Sequence, residues 1–130
     1  MFQYQAVPPK KHLKLKNVIA VDFDNVIHDP NTASKTKMGT PVAGCKPALD
    51  SLANSGYKLV IWTLRGHQKA HVAEWLDFYG IPYHDITNEK PDALVYLDDK
   101  AIRFIDWEQA LNDIQTLAPL IESLPSVASG

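Results

Sequence analysis

The sequence predicts an α/β fold, a single domain built as a three-layer, Rossmann-like, doubly wound parallel sheet of about five strands. Short β-branched apolar runs alternate along the chain with segments that have a helical spacing of apolar residues. This alternation is typical of parallel β-α units with right-handed crossovers. Acidic and hydroxyl residues stand where several of these runs end, which is the edge at which such sheets bind ligands. A length of 130 residues with 45% hydrophobic content suits one domain with its own core.

The first half of the chain predicts a strand, a flap, a helix and a second strand. The β-branched run at 18–21 is typical of a strand buried on both faces, and it ends at Asp22. Residues 28–41 are polar and contain Pro, Gly, Asn, Ser and Thr, which predicts a loop or small flap. Helical spacing over 47–53 opens with a first-turn proline and stops before a glycine. The run at 58–63 predicts the second buried strand.

The second half of the chain predicts two more helices and three short strands. Apolar residues recur at helical spacing over 68–79, and the glycine that follows is a typical helix stop. Short apolar runs predict strands at 81–86, 93–97 and 101–104. An Asp-Trp-Glu-Gln sequence fits a helix N-cap and predicts a helix over 106–117.

Charge and cysteine content restrict the class of protein. The first 16 residues hold four lysines and no acidic residue, whereas the rest holds nine basic and fifteen acidic residues, a net charge of −6. A nucleic-acid-binding protein concentrates positive charge on its folded body, so we expect nucleic acid only as a phosphorylated substrate. No membrane partner is expected, because the longest apolar run is far shorter than the roughly 20 residues of a membrane span. The single cysteine, Cys45, excludes an internal disulfide framework and favours the cytoplasm.

Three polar side chains are predicted to meet at one edge of the sheet. Asp22, Thr63 and Asp98 each stand where a predicted strand ends, and the carboxyl ends of parallel strands meet at one edge. Asp24 and Asp99 add two carboxylates, so the like charge would be costly without protons or a divalent cation. Oxygen-only ligation suits Mg²⁺. We therefore expect a magnesium site among these aspartates.

Phosphate chemistry is the commonest use of a carboxylate-held Mg²⁺. An aspartate near such a metal can act as a nucleophile on phosphorus. A second aspartate can protonate the leaving alkoxide and later activate water. The Thr63 hydroxyl would bind a phosphoryl oxygen, and a lysine would balance the charge of the pentacoordinate species.

Three short motifs resemble those of the haloacid dehalogenase (HAD) superfamily. Residues 22–27, DFDNVI, resemble its motif I, residues 61–65, IWTLR, resemble motif II, and residues 96–99, YLDD, resemble motif IV. The order and spacing agree over roughly residues 17–115. Within the superfamily the chain is most similar to small phosphatase-like proteins that carry a WTxR motif and a DD pair followed by a basic residue and alanine.

The resemblance implies a Mg²⁺-dependent phosphomonoester hydrolase. Asp22 would be the nucleophile that forms a phosphoaspartate, and it would also contact the metal. Asp24 would be the general acid/base, with its backbone carbonyl on Mg²⁺. Asp98 would be the motif IV metal ligand, and Asp99 would share or support that role.

The resemblance also implies the groups that bind the phosphate. Thr63 would bind the phosphoryl oxygens together with the backbone N–H of Leu64. Lys90, which precedes a proline, is assigned as the motif III cation that binds the phosphate, and Arg65 and Lys100 are the alternatives.

Two features depart from the commonest members of the superfamily. Motif I usually reads DxDGT, whereas Asn25 and Val26 replace the glycine and threonine here; asparagine tolerates positive φ better than most residues. The flap at about 28–46 is too short for a cap domain, so we expect a capless catalytic domain. This domain is predicted over 17–122, with a basic arm at 1–16 before it and a flexible tail at 123–130 after it. Capless relatives often act on larger phosphorylated molecules or oligomerise so that a neighbour covers the site.

Two other functions remain open from the sequence. One is a phosphoryl-accepting signalling domain of the receiver type, although a receiver carries its acceptor aspartate after the third strand. The other is a non-catalytic interaction module that keeps the fold. The acidic cluster favours the enzyme, since a non-catalytic module gains nothing from uncompensated like charge.

Overall fold

The computed structural model describes residues 17–65 and 68–123 and shows a parallel α/β fold. The predicted arm at 1–16 and the predicted tail beyond residue 123 lie outside the described residues. Four parallel strands form the main sheet, and three α-helices flank it. The predicted fold class is confirmed, with four strands in the sheet of the described part rather than about five.

The strands in chain order are β1 (Val18–Asp22), β2 (His28–Asp29), β3 (Thr40–Pro41), β4 (Lys58–Trp62), β5 (Asp85–Thr87) and β6 (Val95–Leu97). The helices are α1 (Cys45–Asn54), α2 (Lys69–Phe78) and α3 (Trp107–Ser123). The main sheet has the order β5-β4-β1-β6, and all neighbours in it are parallel. The two short strands β2 and β3 pair antiparallel and form the base of the flap.

Two of the predicted strands are corrected by the structure. The strand predicted at 81–86 is limited to β5, because Ile81 belongs to the end of α2: its N–H donates to the Leu76 carbonyl while Gly80 adopts a φ of 66°. This bond, the bond from the Gly80 N–H to the Asp77 carbonyl and the left-handed glycine together form a Schellman cap. The strand predicted at 101–104 is absent, because the chain turns after β6, where the Asp98 carboxylate accepts the Lys100 N–H at 2.8 Å.

The helix predictions are confirmed in place and corrected in length. Helix α1 begins two residues before Pro47, and Gly44 occupies its N-cap with a φ of 84°. Asp106 caps α3 as predicted, since its carboxylate accepts the Gln109 N–H at 2.8 Å. That helix continues beyond the predicted end at 117 and includes Pro119, which forgoes one backbone hydrogen bond.

The core lies between one face of the sheet and helices α1 and α2. Alternate residues of β1 and β4 point toward these helices, as expected for strands, and the buried cluster includes Val21, Leu59, Ile61, Leu49 and Leu76. Of the α3 side chains that the structure describes, Ala110 alone is buried, so this helix leaves most of its apolar residues exposed. No helix within residues 17–65 and 68–123 is long and apolar enough to cross a membrane.

Candidate functional site

Three aspartates from distant parts of the chain meet where β1 and β6 end. Val21 pairs with Leu97 across these two strands, so the next residue on each strand, Asp22 and Asp98, leaves the sheet at the same level. Carboxylate oxygens of Asp22, Asp98 and Asp99 all lie within 4.8 Å of one another. Asp22 is half-buried, and the other two are exposed.

Like charge at this cluster changes the acidity of Asp22. Burial, followed by the negative charges of Asp98 and Asp99, raises the pKa of Asp22 from 3.8 to about 7. A divalent cation would relieve the same repulsion, and a donor set made of carboxylate oxygens is the one that Mg²⁺ prefers. The exposure of two of the three carboxylates leaves room for the several waters that Mg²⁺ retains. These residues therefore fit a magnesium ion.

The first prediction concerns Asp22→Asn in metal-free protein. A folded-state pKa raised above the unfolded value means that stability falls as pH rises from about 4 through 7, because the folded state must release a proton that it holds tightly. Asparagine removes that loss, so the variant is expected to be more stable than wild type at pH 8, by about 1–2 kcal/mol for a half-exposed group. At pH 4 the difference should be small.

Urea unfolding with EDTA at pH 8 and at pH 4 measures this difference. Asp92→Asn is the matched control, since Asp92 is exposed and stands apart from the cluster; it should leave the stability unchanged at both pH values. A variant Asp22→Asn less stable than wild type at pH 8 contradicts the repulsion.

The side chain of Asp24 lies outside this carboxylate cluster and is held by two other residues. Arg65 donates from Nε to Oδ2 at 2.9 Å and from its Nη2 to Oδ1 at 3.2 Å. His28 donates from Nδ1 to Oδ1 at 2.7 Å. Burial raises the pKa of Asp24, but the hydrogen bonds from His28 and Arg65 and the Arg65 charge outweigh it, so the pKa lies below its ordinary value.

His28 is a site residue whose role the sequence did not indicate. It falls in the segment predicted as a polar loop or flap, whereas it is fully buried and stacks on Phe23 with ring centroids 5.1 Å apart. The Gly39 N–H donates to its Nε2 at 2.8 Å, so Nε2 carries no proton and Nδ1 carries the one that is donated to Asp24. The sequence places His28 four residues after Asp24. Outside a helix, that spacing does not predict that two side chains are in contact.

Gly39 links the flap to helix α2 as well as to His28. Its carbonyl accepts the Trp75 Nε1–H at 2.8 Å. A Cβ at this position would collide with the Thr32 hydroxyl and with the Asp29 carbonyl. The flap base is therefore tied by hydrogen bonds to the residue that orients Asp24.

The second prediction concerns Gly39→Ala. Overpacking at this buried position is expected to lower the free energy of unfolding by about 1–3 kcal/mol, because the alanine methyl must displace the Asp29 backbone and with it the bond to His28. Chemical denaturation measures the loss. Unchanged stability would show that the flap base is not packed as described.

The turn after β1 requires a left-handed residue, and Asn25 provides it with a φ of 71°. The expectation that asparagine serves where glycine is usual is thereby confirmed. The Phe23 carbonyl accepts the N–H groups of Ile27 and His28 at 2.9 Å each, which closes the turn. Among the described residues, the amide oxygen of Asn25 is the buried side-chain polar atom left without a hydrogen-bond partner.

The motif after β4 holds a tight turn beside β1. Thr63 is almost fully buried, and its Oγ1 accepts the Arg65 N–H at 3.0 Å. Trp62 pairs with Asp22, which brings Arg65 to the Asp24 side of the site. The Leu64 side chain, by contrast, is exposed. Phosphate binding by Thr63 and by the Leu64 N–H stays a prediction.

The three cations considered for the phosphate lie in different places. Lys90 stands over the Tyr96 ring, with Nζ 4.9 Å from the centroid. Arg65 forms an ion pair with Asp24. Lys100 lies in the turn after β6, where its N–H donates to the Asp98 carboxylate. In the part of the chain that the structure describes, none of them forms an ion pair with the Asp22 cluster, so the assignment of Lys90 stays a prediction.

Comparison with known proteins supports the fold alone. No family model matches the chain. No curated protein matches it either. A solved structure described as the conserved protein coded by a locus from Bacteroides thetaiotaomicron is similar, with a TM-score of 0.55 and 22% sequence identity. The match covers 81% of this chain and 97% of that chain.

Proposed function

We propose that this chain is a Mg²⁺-dependent phosphomonoester hydrolase of the HAD type that acts through a phosphoaspartate at Asp22. The observation that carries the proposal is the meeting of Asp22, Asp98 and Asp99 at the ends of adjacent parallel strands. These residues come from positions far apart in the chain, and their like charges lie close together where β1 and β6 end. The motif resemblance supports the same assignment.

In this proposal Asp98 and Asp99 hold Mg²⁺ together with Asp22 and the Asp24 carbonyl. The ion would neutralise the carboxylates and the phosphate oxygens that approach them. A carboxylate oxygen of Asp22 attacks phosphorus, the P–O bond to the leaving group breaks, and the phosphoryl group is carried on Asp22. Water then attacks phosphorus, restores the Asp22 carboxylate and releases inorganic phosphate.

Asp24 is better suited to act as a base in the hydrolysis of the phosphoaspartate than as an acid toward the leaving group. Its lowered pKa and its three accepted hydrogen bonds favour the ionised carboxylate, which can take a proton from the attacking water. Donation of a proton to the leaving group is disfavoured in the same geometry. We therefore propose that substrates with acidic leaving groups, such as aryl phosphates, are cleaved most easily.

The phosphate release from p-nitrophenyl phosphate tests the proposed function. Release should require Mg²⁺, stop on addition of EDTA and return on addition of excess Mg²⁺. Asp98→Asn should raise the Mg²⁺ concentration that gives the half-maximal rate, whereas Asp92→Asn should leave it unchanged. Turnover that is equal with and without EDTA would contradict the proposal.

A further inference from the structure

A pocket separate from the carboxylate cluster lies between the flap and helix α2. Its volume is about 350 Å³, which is within the range of small-ligand sites. The flap segment 33–38 forms one wall, and Gln68, His71 and Glu74 line the other. His28 and Arg65 also line it, and both hold the Asp24 carboxylate. The pocket therefore begins beside Asp24, on the side where a leaving group would stand.

The lining of this pocket is basic, although the body of the chain is acidic. Lys35, Lys37 and Arg65 contribute to it, and Glu74 is the one carboxylate among the lining residues that the structure describes. Glu74 lies 3.8 Å from His71. No ion pair joins Lys35 or Lys37 to a carboxylate in the described ranges. The Arg65 charge is already paired with Asp24, so the two ammonium groups are what favours an anion here.

The lysines are carried on an ordered turn. Ser34 closes it twice, since its N–H donates to the Lys37 carbonyl at 2.9 Å and its Oγ accepts the Lys37 N–H at 3.1 Å. The flap base is fixed in turn by the pairing of β2 with β3 and by the bond from Gly39 to His28. Less conformational freedom is therefore lost when these lysines close on a ligand.

We propose that this pocket binds a second phosphate group on the leaving-group side of the substrate, so that bisphosphorylated small molecules are preferred over their monophosphates. The inference rests on the proposed function, because Asp24 marks the leaving-group side only if Asp22 is the nucleophile. The pocket size suits the sugar or nucleoside part of such a substrate together with its second phosphate. Lys35 and Lys37 would bind the second phosphate, and the Thr36 and Gln68 side chains offer neutral hydrogen bonds.

Matched substrate pairs test this preference. We expect kcat/KM to be higher for adenosine 3′,5′-bisphosphate than for adenosine 5′-monophosphate, and higher for glucose 1,6-bisphosphate than for glucose 6-phosphate. In the double variant Lys35→Ala/Lys37→Ala, the ratio within each pair should fall about ten- to a hundredfold, as expected for the loss of charge-assisted hydrogen bonds. The control Lys46→Ala/Lys58→Ala removes the same charge away from the pocket and should leave each ratio unchanged.

A binding measurement separates this inference from the proposed function. Calorimetric titration with adenosine 3′,5′-bisphosphate should show tighter binding than the monophosphate in wild type and a loss of that difference in Lys35→Ala/Lys37→Ala. That result without any phosphate release supports the pocket and overturns the phosphatase. Phosphate release with equal ratios in wild type and the double variant supports the phosphatase and overturns the pocket.

Discussion

Replacing Asp22 by asparagine is expected to abolish Mg²⁺-dependent phosphate release, with a fall in kcat of at least about a thousandfold. The amide has no anionic oxygen for attack on phosphorus, so no phosphoaspartate forms. The substitution changes few atoms, and at pH 8 it is expected to stabilise the metal-free fold. The stability measurement on the same sample then separates a loss of activity from unfolding.

The assay is initial-rate phosphate release from p-nitrophenyl phosphate at saturating Mg²⁺. Asp92→Asn should retain the wild-type rate, because Asp92 is an exposed aspartate outside the cluster. Full activity in Asp22→Asn would rule out Asp22 as the nucleophile. The measurement also bears on the non-catalytic interaction module, which predicts no Mg²⁺-dependent release in wild type.

The second large effect is expected in Asp24→Asn, which should accumulate phosphorylated protein. In the proposed mechanism an ionised Asp24 accepts the proton of the water that attacks the phosphoaspartate, and general bases contribute about a hundred- to ten-thousandfold. With an aryl phosphate the first step needs little acid catalysis, so Asp22 is still phosphorylated while its hydrolysis slows. Steady-state release should fall by a factor in that range, after an initial burst of p-nitrophenol.

Intact-mass measurement during turnover detects the added phosphoryl group. The double variant Asp22→Asn/Asp24→Asn should show neither the burst nor the added mass. If Asp24→Asn hydrolyses its phosphoaspartate as fast as wild type, Asp24 is not the base. A phosphoaspartate that lasts for minutes in wild type itself would instead favour the receiver-type signalling domain.

The hydrogen bonds around Asp24 explain why its role could be assigned only in part from the sequence. Motif I placed it two residues after the strand end, but its partners come from elsewhere: Arg65 is 41 residues away, and Gly39 acts through His28. His28 stands in a segment whose polar composition predicted only a loop or flap. It is buried because Phe23 and Trp75 enclose its ring.

Local patterns in the sequence determined the fold class and the positions of most strands and helices. Apolar runs, helical spacing and cap residues act over a few neighbours, so they predicted β1, β4, β6 and the N-cap of α3. They failed at Ile81, which belongs to the cap of α2 and not to a strand. They also failed at 101–104, which pairs with no strand among the described residues.

Only the tertiary structure decided which strand ends are neighbours and what surrounds each acidic side chain. The order β5-β4-β1-β6 places Asp98 and Asp99 directly beside Asp22, whereas Asp24 faces Arg65 and His28. The pKa of Asp22 is raised and the pKa of Asp24 is lowered for this reason, although the two aspartates stand two residues apart. Strand pairing and charge environment depend on contacts between distant segments, which no local pattern encodes.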